Sequence, residues 1–253
     1  MLPRVWLSLA LFVCASLRLE AELLPKLTLS NSTSVIGMSP FNAELYPVFK
    51  DAVSAADSGL AVVITNNSDK KIVVCNIRWV YSVAGRTKQT ALAIDSFLTP
   101  KAQPLLAPRQ RAVATPFAFT SEALVSGGQI KGRSPANGGL MTTSPEVLVT
   151  LDLVIFDDGE VVGPDEQHYV ADLQGRTLAA KYISEQVSAA LARGENSASL
   201  LSPLASSIPL ADDHVGVWKK QFARELLTSP IRERYLQYLQ SLPTLPPFYR
   251  RQP

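Results

Sequence analysis

The chain has 253 residues, of which 47% are hydrophobic and 18% are charged, a composition typical of globular proteins. This length allows one large domain or two smaller ones that bury most of their apolar surface. The formal charge of +2 predicts no attraction of the whole chain to nucleic acid or to anionic membranes.

The N-terminus has the pattern of an export signal over residues 1–21. A short basic start precedes the apolar run Val5–Leu17, which is too short to span a bilayer comfortably. Cleavage after Ala15 or after Ala21 fits this pattern. We therefore expect an extracytoplasmic protein, periplasmic or secreted, whose mature chain has no membrane span. A short amphipathic or buried N-terminal helix is the alternative.

From Leu27 to about Val170, apolar residues recur with a period of two, which indicates β-strands. The predicted strands are Leu60–Thr65, Lys71–Val83, Thr90–Leu98, Gln110–Phe119 and Val147–Phe156. About seven short strands separated by turn residues are typical of a β-sandwich. We therefore predict an immunoglobulin-like antiparallel β-sandwich over residues 22–171.

The strand Lys71–Val83 alternates most clearly, which predicts that one face is buried. Trp79 and Cys75 lie on the predicted buried face, and Asn76 and Arg78 lie on the other. Cys75 is therefore interpreted as a core residue rather than a nucleophile. Signal cleavage would leave it as the one cysteine of the mature chain, so that stability depends on a packed core.

Seven acidic residues and no Lys or Arg occur between Asp152 and Asp172. Within this segment, Asp157–Gly159 reads "DDG" between apolar strands, and Gly159 tolerates the positive φ of a hairpin turn. We interpret the acidic segment as a solvated hairpin. The alternative is a Ca²⁺-dependent carbohydrate-binding protein or a hydrolase, in which the loop 157–166 supplies four acidic ligands: Asp157, Asp158, Asp165 and Glu166.

The period changes near Asp172, which predicts a helical extension over residues 172–243. The first helix ends at Gly194, and its apolar stripe comprises Leu178, Tyr182 or Ile183, Val187 and Leu191. The Ser- and Pro-rich stretch 195–213 is predicted to be a linker. Residues 244–253, "TLPPFYRRQP", are predicted to form a flexible tail.

Two more helices are predicted after the linker, the last with Ser229 as its cap and Pro230 in its first turn. Their stripes place four aromatic residues on apolar faces: Trp218, Phe222, Tyr235 and Tyr238. Two interpretations remain open. These residues pack inside the protein, or they form a face that binds another envelope protein or a second copy of the chain.

The segment His214–Pro253 is basic, with seven Lys or Arg against two acidic residues. It faces the acidic segment in one interpretation, and both are solvated in the other. We expect solvation, because exposed charge pairs contribute little to stability.

The sequence carries no motif of a known catalytic class. Its two histidines, His168 and His214, are 46 residues apart and do not form a zinc motif. The match of Ser68–Lys71 to S-x-x-K lies in a predicted turn and lacks its companion motifs. The Gly-rich segment Ser126–Gly139 lies between predicted strands rather than before a helix, as a phosphate loop would. We therefore expect no enzyme activity and no cofactor.

Three phrases, "VVITNNSDKKIVVCNIRW", "LLAPRQRAV" and "LDLVIFDDGEVVGPD", resemble a group of uncharacterised exported bacterial proteins with an immunoglobulin-like sandwich. The resemblance covers about Leu60–Asp165 and implies the fold, but it brings no activity and no site residue. The sequence thus predicts a non-enzymatic binding or scaffold protein of the bacterial envelope. It would act through sandwich loops or through the aromatic helix faces.

Overall fold

A computed structural model describes residues 25–31, 33–54, 57–97, 104–122, 130–131 and 144–250. The predicted export signal lies outside these described residues, and so does most of the Gly-rich segment Ser126–Gly139.

The described residues form two sheets and four α-helices. The strands are β1 Lys26–Ser30, β2 Ile36–Pro40, β3 Val62–Asn66, β4 Ile72–Val83, β5 Arg86–Asp95, β6 Arg111–Ala114, β7 Ala118–Ser121, β8 Ile130–Lys131, β9 Glu146–Phe156, β10 Glu160–Val162 and β11 Tyr249–Arg250. The helices are α1 Tyr169–Ala192, α2 Ser197–Ser206, α3 His214–Thr228 and α4 Arg232–Ser241. The protein is therefore mostly β with a helical C-terminal part, as predicted.

The two sheets differ in their strand directions. The first has the order β11-β10-β9-β4-β5, and β1 also pairs with β9. The second has the order β2-β3-β6-β7-β8, and its pairs are antiparallel. In the first sheet, β1 runs parallel to β9 and β11 runs parallel to β10. The prediction of an antiparallel sandwich is therefore wrong for these two pairings, whereas β9 and β10 are antiparallel as predicted. An immunoglobulin-like topology is not confirmed.

The predicted strand Gln110–Phe119 is two strands, β6 and β7, joined by a tight turn. Pro116 has no amide hydrogen to donate, and the Thr115 hydroxyl oxygen accepts hydrogen bonds from the amides of Phe117 (3.2 Å) and Ala118 (3.1 Å). The turn chemistry therefore interrupts the alternating pattern that the sequence showed.

Strand β4 is covered on both of its faces. Trp79 and Cys75 are buried, as predicted, and burial raises the pKa of the Cys75 thiol to about 12. However, Asn76 and Arg78 on the opposite face are also only 1% and 9% exposed. The expectation of one solvated face is therefore wrong. Polar residues at alternate positions marked the second face of a buried strand rather than a surface.

Strand β9 changes character along its length. Its first half alternates, with Val147 and Val149 buried while Leu148 is 39% exposed. From Leu151 to Phe156 every residue is buried. Burial on both faces usually produces a continuous apolar run, and that run extends here from Leu153 to Phe156.

The chain forms two compact units. Of the residues that the structure describes, those within Met1–Asp69, Asn76–Ile94 and Leu106–Leu151 form the first unit, and those within Lys70–Cys75, Asp95–Leu105 and Asp152–Pro253 form the second. The helices therefore belong to a unit that also contains strand segments.

In the first unit, the indole of Trp79 is fully buried and donates a hydrogen bond to the carbonyl oxygen of Leu60 at 2.9 Å. This bond satisfies the polar atom of the largest side chain in the core. A smaller apolar cluster gathers around Phe49, Ala61 and Val113.

In the second unit, α1 and α3 approach each other closely. A Cβ atom at Gly175 would lie 2.6 Å from the Cβ of His214, so only glycine fits there. Small residues of α1 keep this close packing along the helix. The buried cluster between the helices comprises Ala179, Ala180, Ile183, Val187, Leu201, Phe222, Ala223, Leu226 and Leu239.

The predicted stripe of α1 is partly wrong. Ile183 and Val187 are buried, but Leu178 and Leu191 are 57% and 55% exposed. The buried side instead uses Ala179 and Ala180. Alanines bring a neighbouring helix close, and a stripe drawn from large apolar residues misses them.

The predicted linker at residues 195–213 contains a helix. Asn196 accepts a hydrogen bond from the amide of Ala198 at 2.9 Å, which caps α2 (Ser197–Ser206) at its start. Leu201 of this helix is fully buried. Composition suggested a linker because Ser and Pro are frequent, but one cap and one buried leucine suffice to anchor a short helix.

Candidate functional site

The acidic segment forms the hairpin β9–β10 that the sequence predicts. Val161 pairs with Ile155 in an antiparallel ladder. At the turn, Gly159 has a φ of +91° and its amide donates to the carbonyl oxygen of Phe156 at 3.0 Å. Asp158 accepts a hydrogen bond from the Glu160 amide at 3.0 Å, which closes the turn.

Lys70 joins the acidic side chains of this hairpin. Its ammonium group contacts Asp158 and donates to Glu160 at 2.6 Å and to the hydroxyl of Tyr249 at 3.4 Å. The same ammonium lies 5.9 Å from the ring centre of Phe156. The Glu160 side chain is only 5% exposed, against 42% for that of Asp158. Lys70 therefore compensates a carboxylate that the fold has removed from water.

These contacts shift the pKa values of both partners. Desolvation alone would raise the pKa of Asp158, but its hydrogen bonds with Lys70, the Glu160 amide and Tyr249 outweigh that effect and lower it to about 2. Hydrogen bonds to Asp158 and Glu160 raise the pKa of Lys70. Both groups are consequently charged at neutral pH.

The second half of the acidic segment begins helix α1. Asp165, in a left-handed conformation, accepts hydrogen bonds from the amides of Tyr169 (2.7 Å) and Val170 (3.4 Å). Asp152 is fully buried and accepts a hydrogen bond from the Glu166 amide at 3.1 Å. Burial, and then the charge of Asp152, raise the pKa of Asp165. These carboxylates serve as local caps and braces.

The alternative metal site would use Asp157, Asp158, Asp165 and Glu166. Within the ranges that the structure describes, no group of three or more His, Cys, Asp or Glu side chains is placed to hold a metal ion. Asp158 is bound to Lys70, whereas Asp165 caps a helix. The interpretation of the segment as merely solvated also needs correction, because Asp152 and Glu160 are buried.

The C-terminal segment, which we define as Pro243–Arg250, docks on the same hairpin. The amide of Tyr249 donates to the carbonyl oxygen of Gly159 at 3.1 Å, and its hydroxyl donates to Asp158 at 2.9 Å. Arg250 donates to the carbonyl oxygens of Gly163 and Pro164. The predicted flexible tail is therefore wrong for these residues. The acidic and basic segments meet instead of being separately solvated.

Apolar contacts hold the same segment. Leu245 and Phe248 pack against a buried cluster that includes Leu153 and Val161. The ring of Phe248 lies 6.1 Å from that of Phe97. A Pro-rich sequence without other contacts is extended and solvated. Here Leu245 and Phe248 bury apolar surface against the unit and hold the segment in place.

The four aromatic residues of the helices pack against one another within the second unit. Phe222 is 2% exposed, and its ring centre lies 5.4 Å from Trp218 and 6.4 Å from Tyr235. Tyr235 lies 5.9 Å from Tyr238. Phe222 is thus too buried to face a partner, and the other three are partly buried against the same cluster. The geometry favours the intramolecular interpretation of this stripe.

Polar groups lock the aromatic cluster to α1. The Trp218 indole donates to Asp172 at 2.8 Å, and the guanidinium of Arg176 lies 4.8 Å from the ring centre of Trp218. Arg176 also donates to the Tyr238 hydroxyl at 3.3 Å. Desolvation and a hydrogen bond with Glu225 raise the pKa of Tyr235. The cluster is therefore a structural joint between helices.

A groove of about 800 Å³ lies between α1, the end of α4 and the C-terminal segment. Leu178 is exposed on one wall, and Leu242, Leu245 and Pro246 line the other. Polar residues from α1 at its margin include Lys181. Concave, mainly apolar surfaces of this size are where small molecules and peptide segments bind.

Sequence reasoning missed three important residues: Lys70, Leu178 and Tyr249. Lys70 was considered only within the S-x-x-K match, whose Ser68 instead donates to Asn66 at 2.6 Å. Two adjacent lysines beside a turn, Lys70 and Lys71, in a chain with a long acidic segment were the available signal. Leu178 was assigned to the core because it fitted a helical stripe.

Comparisons of the chain with models of protein families, with curated proteins and with solved structures found no match. The resemblance to exported bacterial proteins therefore stays a prediction. Among the described residues, none of the helices combines the length and the apolar character that a bilayer span requires.

Proposed function

We propose that this protein is a non-enzymatic, extracytoplasmic binding or scaffold protein of the bacterial envelope. It holds an extended apolar segment of another envelope protein in the groove of the second unit. The observation that carries this proposal is Leu178, a large apolar side chain that is 57% exposed on the wall of a groove with an apolar opposite wall.

The groove is suited to a peptide rather than to a charged small ligand. Its volume of about 800 Å³ lies within the usual range for ligand sites. Its lining includes one lysine and one acidic residue, Lys181 and Glu185, so it favours neither sign of charge. Gln174 in the lining offers a hydrogen-bonding amide to the main chain of an extended segment, and the Thr177 hydroxyl, which donates to the carbonyl oxygen of Leu173 at 3.1 Å, can still accept a hydrogen bond.

The proposal replaces the aromatic helix faces by this groove as the binding surface. Trp218 and Phe222 already contact each other and the helical core, so a partner would have to unpack them. Leu178 needs no rearrangement before it contacts a ligand. A preformed apolar surface lowers the entropic cost of binding.

The proposed location rests on the sequence. The apolar run Val5–Leu17 after a basic start supports export, and the resemblance over about Leu60–Asp165 supports a bacterial envelope protein. Mass measurement of the protein recovered from envelope fractions tests the first point. The expected mass corresponds to cleavage after Ala15 or Ala21.

Site-specific crosslinking tests the groove. A photoreactive residue replaces Leu178 in one variant and Leu191 in a matched control. Both positions lie on α1 with similar exposure, 57% and 55%, but Leu191 does not line the groove. We expect a discrete adduct with one envelope protein from position 178 and none from position 191.

The substitution Leu178→Glu provides the second half of this test. The crosslinker is moved to Thr177 for this comparison. Leu178→Glu should then lower the yield of the adduct at least tenfold, because it places a charge in the groove, whereas Leu191→Glu should leave the yield unchanged. Both variants should melt within a few degrees of the wild type, because exposed substitutions change stability little. Equal adducts from both positions, or none from either, would end the groove proposal.

A further inference from the structure

One wall of the groove consists of residues that belong to no helix or strand. These residues, Leu242–Pro247, lie between the end of α4 and the start of β11, and we call them the proline wall. Three of the six are prolines, which lack the amide hydrogen that a helix or a sheet would use. The proline wall therefore cannot fix its own position through regular main-chain hydrogen bonds, and it depends on contacts with the rest of the second unit.

The opposite wall of the groove belongs to helix α1 and is firmly held. This helix buries Ala179, Ala180 and Ile183 in the cluster between the helices. In addition, the side-chain amide of Gln240 on α4 donates to the hydroxyl of Ser188 on α1 at 3.0 Å. Helix α1 cannot shift without unpacking this cluster, so the width of the groove depends mainly on where the proline wall lies.

Strand residues of the second unit hold the proline wall through apolar and main-chain contacts. Leu245 of the wall and Phe248, just beyond it, pack against the buried strand cluster, and the Phe248 ring lies 6.1 Å from that of Phe97. The hairpin turn also contacts the wall, since a Cβ atom at Gly159 would lie 2.4 Å from the carbonyl oxygen of Pro247. Neither Phe97 nor Gly159 lines the groove, so these contacts are made outside it.

Tyr249 attaches the end of the proline wall to the hairpin by polar contacts. It follows Pro247 by two positions, and its amide donates to the carbonyl oxygen of Gly159 at 3.1 Å. Its hydroxyl donates to Asp158 at 2.9 Å and accepts from the ammonium of Lys70 at 3.4 Å. Tyr249 does not line the groove, so it acts on the groove only through the proline wall.

We propose that the contacts of Tyr249 with the hairpin position the proline wall and thereby set the affinity of the groove for its peptide. Tyr249 is a positioning residue, because its partners are Gly159, Asp158 and Lys70 rather than the peptide. A wall that is held in place before the peptide arrives need not be ordered during binding, which lowers the entropic cost of the complex. This inference rests on the proposed function of the groove and assigns control of its affinity to a residue outside it.

Spin labels across the groove test the first step, the position of the proline wall. The labels are attached at Lys181→Cys on α1 and at Thr244→Cys on the proline wall, two positions that line the groove. Cys14 is replaced by serine in this chain, and the buried thiol of Cys75 should not react. Pulsed electron paramagnetic resonance should give a narrow distribution of label distances, and Tyr249→Ala should broaden it because the wall loses its attachment.

Tyr182→Ala is the matched control. The Tyr182 side chain is 37% exposed, against 45% for Tyr249, and its ring contacts Lys219 and does not line the groove. This control should leave the distribution narrow. Tyr249→Phe keeps the main-chain bond to Gly159 but loses the hydroxyl bond to Asp158, so it should broaden the distribution to an intermediate degree. Thermal melting checks the fold of each variant, and Tyr249→Phe decides the question if Tyr249→Ala does not fold.

Crosslinking from Leu178 tests the second step, the affinity of the groove. The photoreactive residue at position 178 is combined with each tyrosine substitution, and the probe is the envelope protein that the chain without these substitutions captures. The yield of this adduct should fall about tenfold in Tyr249→Ala and less in Tyr249→Phe, because a mobile wall must be ordered during binding. Tyr182→Ala should leave the yield unchanged.

Failure of this inference differs from failure of the groove itself. A folded Tyr249 variant that keeps a narrow distance distribution, or one that keeps the full yield of adduct, overturns the inference and leaves the groove proposal intact. If position 178 gives no adduct in the chain without tyrosine substitutions, the groove proposal ends and the inference falls with it.

Discussion

The acidic hairpin and the aromatic stripe of the helices are two regions whose sequences left an external binding role open, a metal ion for the first and a partner protein for the second. Both make their contacts within the chain. They are engaged in different ways. The hairpin uses an ion-pair network around Lys70, in which the Asp158 side chain is 42% exposed. The stripe packs around Phe222, which is 2% exposed.

This difference predicts that the two regions contribute unequally to the free energy of unfolding. Truncation of a buried apolar side chain loses the free energy of its burial and adds the cost of a cavity, because the surrounding structure collapses only partly. Partly exposed ion pairs contribute less and respond to salt and pH. The stripe should therefore be essential to the helical core, and the hairpin network should be adjustable.

Phe222→Ala should cause the largest loss. Removal of a buried phenylalanine costs about 3–5 kcal/mol of unfolding free energy. Urea unfolding measures the change, with Leu191→Ala as the exposed control on α1. If Phe222→Ala cost no more than the control, the stripe would be free for a partner and the comparison would reverse.

Lys70→Met should have an intermediate effect. The substitution keeps the aliphatic stem but removes the cation from Glu160, whose side chain is 5% exposed. We expect a loss of about 2 kcal/mol, because a buried carboxylate without its charged partner is costly.

The double variant Lys70→Met, Glu160→Gln is the matched control for that effect. It removes the buried charge together with its partner, so it should recover about half of the loss or more. An additive double variant would show that Lys70 and Glu160 do not interact in solution.

Asp158 should give the smallest effect, visible as a pH dependence. Its folded pKa of about 2 lies below the ordinary value of 3.8, so its contribution is present above pH 4 and is lost as the pH falls towards 2. The stability difference between the wild type and Asp158→Asn should therefore shrink over this range. Urea melts at intervals from pH 6 to pH 2 measure it, and a constant difference would contradict the lowered pKa.

Local features of the fold were predictable from the sequence. The turn Asp157–Gly159 and the apolar residues of β9 are set by neighbours along the chain, through turn chemistry and the period of the strand. The burial of Cys75 and Trp79 followed from the same alternation. The general division into strands followed by helices was also predicted.

Features that depend on distant residues were not predictable in this way. Burial of Asn76 and Arg78 requires a second layer over β4, which no local pattern encodes. Parallel pairing of Lys26 with Glu146 joins residues 120 positions apart. Docking of Tyr249 on Asp158 spans 91 positions. Alternation says that a strand has two faces, but not whether both are covered.

The candidate sites follow the same division. The sequence identified the acidic hairpin, but its role as an acceptor for Arg250 depends on the end of the chain returning to it. The groove was missed because Leu178 fitted an idealised helical stripe. In the structure, the alanines beside it contact the neighbouring helices, and the leucine is left on the surface.

The second unit is assembled from three separate stretches of the chain, and this matters for anyone who wishes to isolate it. A fragment starting at Asp152 would carry Leu153, Ile155 and Leu173 without Val73 and Phe97, which pack against the same cluster. Such a fragment would expose apolar side chains of β9, and we expect it to aggregate. A rearranged gene that joins all three stretches, or co-expression of the long fragment with the two short ones, would be the practical route to an isolated second unit.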